Sequence, residues 1–204
     1  MMIYINIAEN ICPVCKKPAI DGITHPKCQT RTSLEGLVFF WRYKGIVHKI
    51  IHKIKYNPFI FTAIEDIVGS HTTMPENPAF QDFLSQKPIL IPVPLHKSRM
   101  RYRGYNHAEK IAQAFGKKWH LKVANNLLLR IKKTKPQAKL KFEERKSNIK
   151  NAFAINSSYH HISISSSHSI LVDDVWTTGS TLSECCRVLK QKGAQKIWAL
   201  TLAR

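Results

Sequence analysis

Ser169-Ile-Leu-Val-Asp-Asp-Val-Trp-Thr-Thr-Gly-Ser-Thr181 is the stretch that decides the fold of this chain. Its apolar run, Ile170 to Val172, predicts a short buried strand, and the spacing of apolar residues after it predicts a helix over Ser180–Lys192. The turn between them presents unpaired backbone N–H groups and the positive end of the helix dipole, and Gly179 lets an anion approach closely. The turn therefore predicts a phosphate site, with hydroxyl donors from Thr177, Thr178, Ser180 and Thr181.

Two adjacent acids, Asp173 and Asp174, follow the predicted strand. Ligands of open parallel sheets usually bind at the carboxyl ends of strands, so this pair is expected to hold vicinal sugar hydroxyls or Mg²⁺. The alternative is that the acids merely end the strand and that the Thr-Thr-Gly-Ser segment merely caps the helix. A Walker loop is excluded, because no Gly-Lys-Ser/Thr sequence follows.

Length and composition predict one α/β domain with a small appendage, because 204 residues with 44% hydrophobic content suffice for one real core. Thirty-two Lys and Arg against 13 Asp and Glu give a formal charge of +19, which favours a polyanionic partner, above all nucleic acid. A generally basic surface and an anionic membrane surface are the alternatives. The sequence shows neither an apolar run of about 20 residues nor a signal peptide, so a cytoplasmic location without a membrane span is expected.

The spacing of cysteine and histidine near the N-terminus predicts a structural zinc site. Cys12 and Cys15 form one two-ligand turn, and His25 and Cys28 form a second, so the two turns together supply a tetrahedral Cys₃His set. So short a segment would depend on the metal for its fold. A redox C-x-x-C pair or a chance arrangement are the alternatives, and His25 is the weakest of the four assignments.

A helix is predicted to begin at Gly45 and to stop at Asn57-Pro58, where proline breaks the pattern. Its apolar face is expected to pack in the core, whereas its basic face is either solvated or part of a larger patch. A second short helix is predicted over Phe59–Val68. The apolar face comprises Ile46, Val47, Ile50, Ile51 and Ile54, and the basic face comprises His48, Lys49, His52, Lys53 and Lys55.

A basic loop is predicted after the next strand, Ile89–Val93, and a loop of this kind can grip a diphosphate. Asn106 is a predicted N-cap of the helix that follows, with Glu109 three residues later. The alternation of strands and helices is typical of a parallel sheet. The cations of the loop are Lys97, Arg99, Arg101 and Arg103, and Gly104 ends it.

Positive charge is concentrated between Lys97 and Lys150, where 17 Lys and Arg face three Glu. A hydrophilic stretch over residues 132–151 follows a strand predicted at Leu127–Ile131, and its length is typical of a lid or a disordered segment. A brief helix within this stretch and two further strands are also predicted. These three elements are Phe142–Lys146, Ala152–Ile155 and Ile197–Leu202.

Several short motifs, in their order along the chain, resemble those of the ComF/GntX family of competence proteins. Each motif is weak alone, whereas their joint order and spacing cover nearly the whole sequence. The motifs are the N-terminal C-x-x-C, Ile91-Pro-Val-Pro94, Arg103-Gly-Tyr-Asn-His107, Pro136-Gln137, Arg145-x-x-Asn148-x-x-Asn151-x-Phe153 and the block from Asp173 to Thr181.

The resemblance implies an N-terminal zinc finger over residues 1–38 and a type I phosphoribosyltransferase-like domain over 39–204, with Mg²⁺ and 5-phosphoribosyl-1-diphosphate (PRPP) as its ligands. The chain departs from the family pattern at His25, His107 and Trp176, where cysteine, glutamine and a smaller side chain are usual. The implied PRPP ligands are Asp173, Asp174, Thr177, Thr178, Gly179, Ser180 and Thr181. The implied diphosphate and nucleic-acid contacts are Lys97, Arg99, Arg101, Arg103, Lys132, Lys133, Lys135, Arg145 and Lys146.

Three functional hypotheses follow from these patterns. In the first, the chain serves natural transformation and DNA uptake by binding single-stranded DNA on the cytoplasmic side, with cations along the phosphates and rings stacked on the bases. The second is an active phosphoribosyltransferase with an unidentified nitrogen acceptor, for which no general base is evident. The third is a scaffold that docks a partner such as a helicase through the zinc finger. The candidate stacking rings are Tyr43, Tyr102, Tyr105 and Trp176, and core packing is an equal alternative for each.

Overall fold

A four-stranded parallel sheet forms the centre of the fold, which confirms the predicted α/β class. The computed structural model describes residues 9–56, 66, 68, 77–134, 142–158 and 168–204. The sheet consists of β1 (Gly36–Trp41), β2 (Ile89–Pro92), β5 (Ser169–Val175) and β6 (Ile197–Ala203). Their order is β1-β6-β5-β2, with β5 in the interior, and each neighbouring pair runs parallel.

Helices and a separate two-stranded antiparallel sheet surround the central sheet. The described helices are α1 (Gly45–Tyr56), α2 (Pro78–Ser85), α3 (Lys97–Arg103), α4 (His107–Trp119), α5 (Phe142–Ile149) and α6 (Ser180–Gln191), and the antiparallel strands are β3 (Leu128–Arg130) and β4 (Phe153–Ile155). Neighbouring residues of a strand point to opposite faces of a sheet. Accordingly, Ile170 and Val172 of β5 belong to a core shared with α1, α2 and α4, whereas Leu171 belongs to a core shared with α6, β3 and β4. This layering places β5 between two apolar cores.

The predicted basic loop after β2 is wrong, because residues 97–103 form the helix α3. The His96 side chain caps its first turn by accepting a 3.2 Å hydrogen bond from the Ser98 N–H. Gly104 ends the helix in the left-handed region with φ of 77°, a conformation that glycine adopts without strain. Strong local caps at both ends therefore fold a charged segment that the composition alone assigned to a loop.

The predicted apolar face of α1 is partly wrong. Val47, Ile51 and Ile54 are buried, whereas Ile46 is 52% exposed and Ile50 is 36% exposed. The buried face of α1 is therefore narrower than the sequence indicated. The helix predicted at Phe142–Lys146 is confirmed and continues to Ile149.

Some predicted features lie outside the described residues. They include most of Phe59–Val68, the Pro136-Gln137 motif and Lys135. The side chain of Lys146 lies outside them as well. The division expected after residue 38 falls within β1, whose residues Gly36–Trp41 all belong to the central sheet.

Candidate functional site

A cavity of about 560 Å³ opens where β2 and β5 end. This is the edge at which open parallel sheets usually bind ligands. Its wall includes the end of β5, the start of α6, and side chains from α1, α3, α4 and β3. Asp173, Asp174 and the whole segment from Thr177 to Thr181 lie in this wall, so the structure brings the two halves of the predicted site together.

The hydroxyl-rich turn between β5 and α6 is built around Gly179, which has φ of 77° and is the N-cap of α6. Gly179 has no side chain with which to cap the helix, and the Thr178 hydroxyl accepts a 3.4 Å hydrogen bond from the Ser180 N–H. The Thr178 and Ser180 hydroxyls lie 2.8 Å apart, and both border the cavity. Backbone N–H groups at a helix start together with side-chain hydroxyls form a suitable cradle for a phosphate.

The buried side chain of Trp176 packs against Gly179 of this turn. Its side chain is only 2% exposed, and a Cβ on Gly179 would come within 2.2 Å of a Trp176 ring atom. The turn can therefore close over the indole only with glycine at position 179. The expectation that Trp176 is an exposed stacking ring is wrong, because the indole fills the space under the turn.

The two acids diverge from the end of β5, as neighbouring strand residues do. The Asp174 carboxylate is buried and lies 2.6 Å from Lys55 Nζ of α1. His107 Nε2 of α4 lies 3.5 Å from the same oxygen. Asp173 Oδ1 instead accepts a 2.9 Å hydrogen bond from the Asp174 N–H. Asp174 is thus engaged by groups from two helices, while no cation of the described residues lies as close to Asp173.

The pKa values of the two acids move in opposite directions. Burial and the neighbouring Asp174 raise the pKa of Asp173 to about 7. Burial has the same effect on Asp174, but Lys55 and His107 outweigh it and hold the pKa of Asp174 far below its ordinary range. Burial also opposes the charge of Lys55, yet Asp174 raises the pKa of Lys55. At neutral pH the pocket therefore contains a fixed ion pair beside a second carboxyl group that is easily protonated.

Among the described residues, five Lys and Arg side chains line the same cavity as the acid pair. Arg103 Nη1 lies 3.3 Å from His107 Nδ1, and its guanidinium stacks 5.0 Å from the centre of the Tyr56 ring. Of the cations expected from sequence, Arg99, Arg103 and Arg145 line the cavity. Lys97, Arg101, Lys132 and Lys133 are exposed and are not part of its wall. The remaining cations of the wall are Lys55 and Arg130.

Arg130 is a pocket residue that the sequence analysis missed. It lies at the end of β3, is 8% exposed, and donates from Nη2 to the Thr134 hydroxyl. Burial and the nearby Arg99 lower the pKa of Arg130 to about 10. A bound anion would stabilise the charged form of this buried arginine. The anion would offset both the loss of solvation and the repulsion by the second cation.

Two of the four rings proposed for stacking are buried. Tyr105 is 7% exposed, and its hydroxyl donates to the Ile54 carbonyl, so core packing explains it as it explains Trp176. Tyr102 is 82% exposed, and both Tyr102 and Tyr43 border the pocket. His48, His52 and Tyr56 also border it, and the sequence analysis did not propose them as pocket residues. Their shared helical face with Lys55 is the signal that would have identified them.

The predicted zinc ligands converge in the structure. One donor atom from each of Cys12, Cys15, His25 and Cys28 lies within 4.8 Å of the others. Cys15 Sγ is 3.3 Å from His25 Nδ1, and His25 Nε2 is 3.0 Å from the Pro18 carbonyl, which orients the ring as an outer-shell partner does. This donor set fits a tetrahedral structural Zn²⁺.

The thiols of this cluster differ in their acidity. Burial opposes ionisation of Cys12, but hydrogen bonds from the backbone N–H groups of Cys15, His25 and Val14 outweigh it and lower the pKa of Cys12. Desolvation and the neighbouring thiols raise the pKa of Cys28 to about 11. A bound cation would relieve this crowding of thiolates, because metal binding favours the deprotonated ligand.

The zinc-ligand segment packs firmly against the rest of the fold. Ile11 is 3% exposed and joins the core that contains α6. The Asp21 carbonyl accepts a 2.7 Å hydrogen bond from Asn77, the N-cap of α2. The Thr24 N–H donates to the Glu35 carbonyl at 2.8 Å. The segment is therefore continuous with the main domain through side-chain and backbone contacts.

Within the described part of the chain, no helix is long and apolar enough to cross a bilayer. No protein-family model matches the sequence.

Curated proteins with similar sequences have names that refer to competence and to DNA use. Competence protein F of Haemophilus influenzae is 38% identical over 115 residues, which cover 56% of this chain and 49% of that protein. DNA utilization protein YhgH of Escherichia coli K12 is 27% identical over 206 residues, which cover 94% of this chain and 84% of that protein. Competence protein ComFC of Bacillus subtilis is 26% identical over 201 residues, with 97% and 79% covered.

This chain thus spans about half the length of Competence protein F and most of the length of the other two relatives. The alignments with the last two relatives cover 94% and 97% of this chain. Together with the α/β fold and the Cys₃His cluster, these similarities support a place for the chain in the ComF/ComFC family.

Proposed function

We propose that this protein serves DNA uptake by binding single-stranded DNA on a cationic surface and a 5-phosphoribosyl diphosphate such as PRPP in the adjoining pocket. One observation carries the proposal: the phosphate cradle, the acid pair and five cationic side chains line a single cavity. A phosphate fits the cradle, vicinal hydroxyls fit a carboxylate, and the cations offset the charge of a diphosphate. The names of the relatives supply the biological context of DNA uptake.

The donor set is better suited to a Mg²⁺ ion that arrives bound to the diphosphate than to an ion that the protein holds permanently. His107, Asp173 and Asp174 place donor atoms within 4.8 Å of one another, but Lys55 already pairs with Asp174 at 2.6 Å. Asp173 is therefore the carboxylate that would hold Mg²⁺, which commonly binds one or two carboxylates together with substrate phosphates. When bound, the ion would neutralise charge on the diphosphate.

The DNA part of the proposal rests on charge and on exposed rings. Lys97, Arg101, Lys132 and Lys133 are exposed near the pocket cations, and Tyr102 offers a ring that is 82% exposed. Phosphate contacts of this kind give affinity that falls as salt rises, because bound counterions are released. Fluorescence anisotropy with a labelled oligothymidylate should show binding at about 50 mM salt that weakens steadily toward about 200 mM. Absence of binding at the lower salt would contradict the proposal.

A second candidate is phosphoribosyl transfer itself, which the number of cations around the cradle favours. Arg99, Arg103 and Arg130 could neutralise a departing diphosphate while the C1–O bond breaks. A nitrogen acceptor would form the new C1–N bond and lose its proton to solvent or to the diphosphate. Release of diphosphate from PRPP, assayed across a panel of amines and nucleobases, tests this candidate. Measurable PRPP binding without release for any acceptor would leave the binding function alone.

A further inference from the structure

Four rings follow one another along α1 and its N-terminal approach. Tyr43 and His48 have ring centres 4.9 Å apart, His48 and His52 are 6.3 Å apart, and His52 and Tyr56 are 4.9 Å apart. His48, His52 and Tyr56 recur every fourth residue, the spacing that places side chains on one helical face. We call these four rings the α1 ring row.

The ring row faces the cavity rather than the core. All four of its rings border the same pocket as the phosphate cradle and the acid pair. His48 and His52 are exposed, and Tyr56 is 53% exposed. By contrast, Phe115 and Trp119 stack at 4.5 Å within the core, where the Phe115 ring is fully buried. The core pair is explained by packing, whereas the side chains of His48, His52 and Tyr56 are exposed and can be reached by a ligand.

We propose that the α1 ring row is the base-stacking track of the nucleic-acid site and leads unpaired bases along α1 to the mouth of the phosphoribosyl pocket. This inference rests on the proposed function, because it specifies where the bases of the bound strand lie. Aromatic faces stack on nucleobases of any sequence, and the surrounding cations hold the backbone. Duplex bases are already stacked on one another, so this track selects single strands.

The geometry also fixes how the bases are spaced. Successive helical rungs four residues apart rise by about 6 Å, while stacked bases in a duplex strand rise by about 3.4 Å. Bases bound to His48, His52 and Tyr56 are therefore separated from one another, each against its own ring. Arg103, stacked 5.0 Å over the Tyr56 ring, fixes that ring at the end of the row.

Two oligonucleotides of equal length and charge test the ring row directly. One is oligothymidylate, and the other carries the same phosphates but abasic sugars. The parent protein is expected to prefer oligothymidylate. The variant His48→Ala/His52→Ala/Tyr56→Ala should lose most of that preference, by roughly 5- to 150-fold for each base that loses its ring. Its affinity for the abasic strand should change little, because the phosphate contacts remain.

Two further variants separate stacking from charge and from folding. His52→Phe keeps a ring and should retain the preference for oligothymidylate. Lys53→Ala removes an exposed cation of the same helix and should weaken the binding of both strands equally. Melting temperatures equal to that of the parent show that the exposed substitutions leave the fold intact. An unchanged preference for oligothymidylate in the triple variant would contradict base stacking on the ring row but not the proposed binding of DNA. No binding of either strand by the parent would overturn the proposed function and the ring row together.

Discussion

Two clusters among the described residues offer ligands for a cation, and they differ in the groups that surround those ligands. The cluster of Cys12, Cys15, His25 and Cys28 contains soft donors and no cationic side chain among its four members. The cluster of His107, Asp173 and Asp174 has Lys55 2.6 Å from one of its carboxylates. The first could bind a structural Zn²⁺ that would offset the charge of its thiolates, whereas the second already contains an ion pair between Lys55 and Asp174. The first fits a structural role, and the second fits reversible binding.

The largest expected effect comes from removing zinc from the first cluster. Cys12→Ser should abolish zinc binding and unfold residues 9–34, because metal-linked folding of such sites is worth on the order of 10 kcal/mol. Ile11 and Leu34 share the core with α6, so the main domain should lose stability as well. Zinc content by atomic absorption and limited proteolysis measure the two effects.

Val14→Ala is the matched control for this change, since Val14 lies in the same turn, is 46% exposed and supplies no ligand. It should keep one zinc ion per chain. Full zinc content in Cys12→Ser, with unaltered protease resistance, would show that the cluster does not depend on a metal.

The next effect concerns the internal ion pair of the second cluster. Lys55→Met keeps most of the side-chain stem but leaves the buried Asp174 carboxylate without its lysine, which should lower the free energy of unfolding by about 3 kcal/mol. Chemical denaturation measures this loss. The double variant Lys55→Met/Asp174→Asn should recover much of it, because no unpaired charge then remains. Equal stability of Lys55→Met and the parent would mean that Lys55 does not balance this cluster.

The parts of the site that were predictable from sequence are those whose residues lie close together along the chain. The zinc ligands lie within 17 residues of chain, and the acid pair and cradle lie within Ser169–Thr181, so local spacing revealed both. Lys55 and Arg130 reach the pocket from α1 and β3, and only the folded topology brings them to β5. The helix α3 was missed for another reason: its caps at His96 and Gly104 outweighed a composition that suggested a loop.

A smaller effect separates the cradle from an ordinary turn. Gly179→Ala places a Cβ 2.2 Å from the Trp176 ring at a positive φ, and we expect a loss of about 2 kcal/mol together with weaker phosphate binding. Gly104 also has φ of 77°, but no atom of the described residues lies within 4 Å of its Cβ position, so Gly104→Ala should cost only the backbone strain of about 1 kcal/mol. Thermal unfolding of both variants gives the comparison. Equal losses would show that Trp176 does not constrain the turn.

The smallest effect is a dependence of binding on pH. The pKa of Asp173 is raised from 3.8 to about 7, so the folded protein retains a proton that the unfolded chain has released. The stabilisation of the folded state by this retained proton is present below about pH 4 and is lost as pH rises through about 7. A Mg²⁺-diphosphate needs the carboxylate, so its affinity should rise with pH up to about 7, by at most about tenfold per unit.

Calorimetry in buffers with different heats of ionisation measures the proton released on binding. Ligand binding to Asp173→Asn should release no proton at this site. Asp82 is an exposed acid on α2, and the control variant Asp82→Asn should release protons as the parent does. Proton release that is the same in Asp173→Asn would place the linked group elsewhere.

The most direct test of the central claim is a thermal-shift titration with PRPP and Mg²⁺. Ligand at about a hundredfold excess over Kd should stabilise the parent and the Asp82→Asn control by about 2.7 kcal/mol, because it binds only the folded state. Asp173→Asn should show little of this stabilisation, since the ion-pair partner of Lys55 is Asp174 and not Asp173. Equal stabilisation of Asp173→Asn and the parent, or none in the parent at millimolar ligand, would contradict the account.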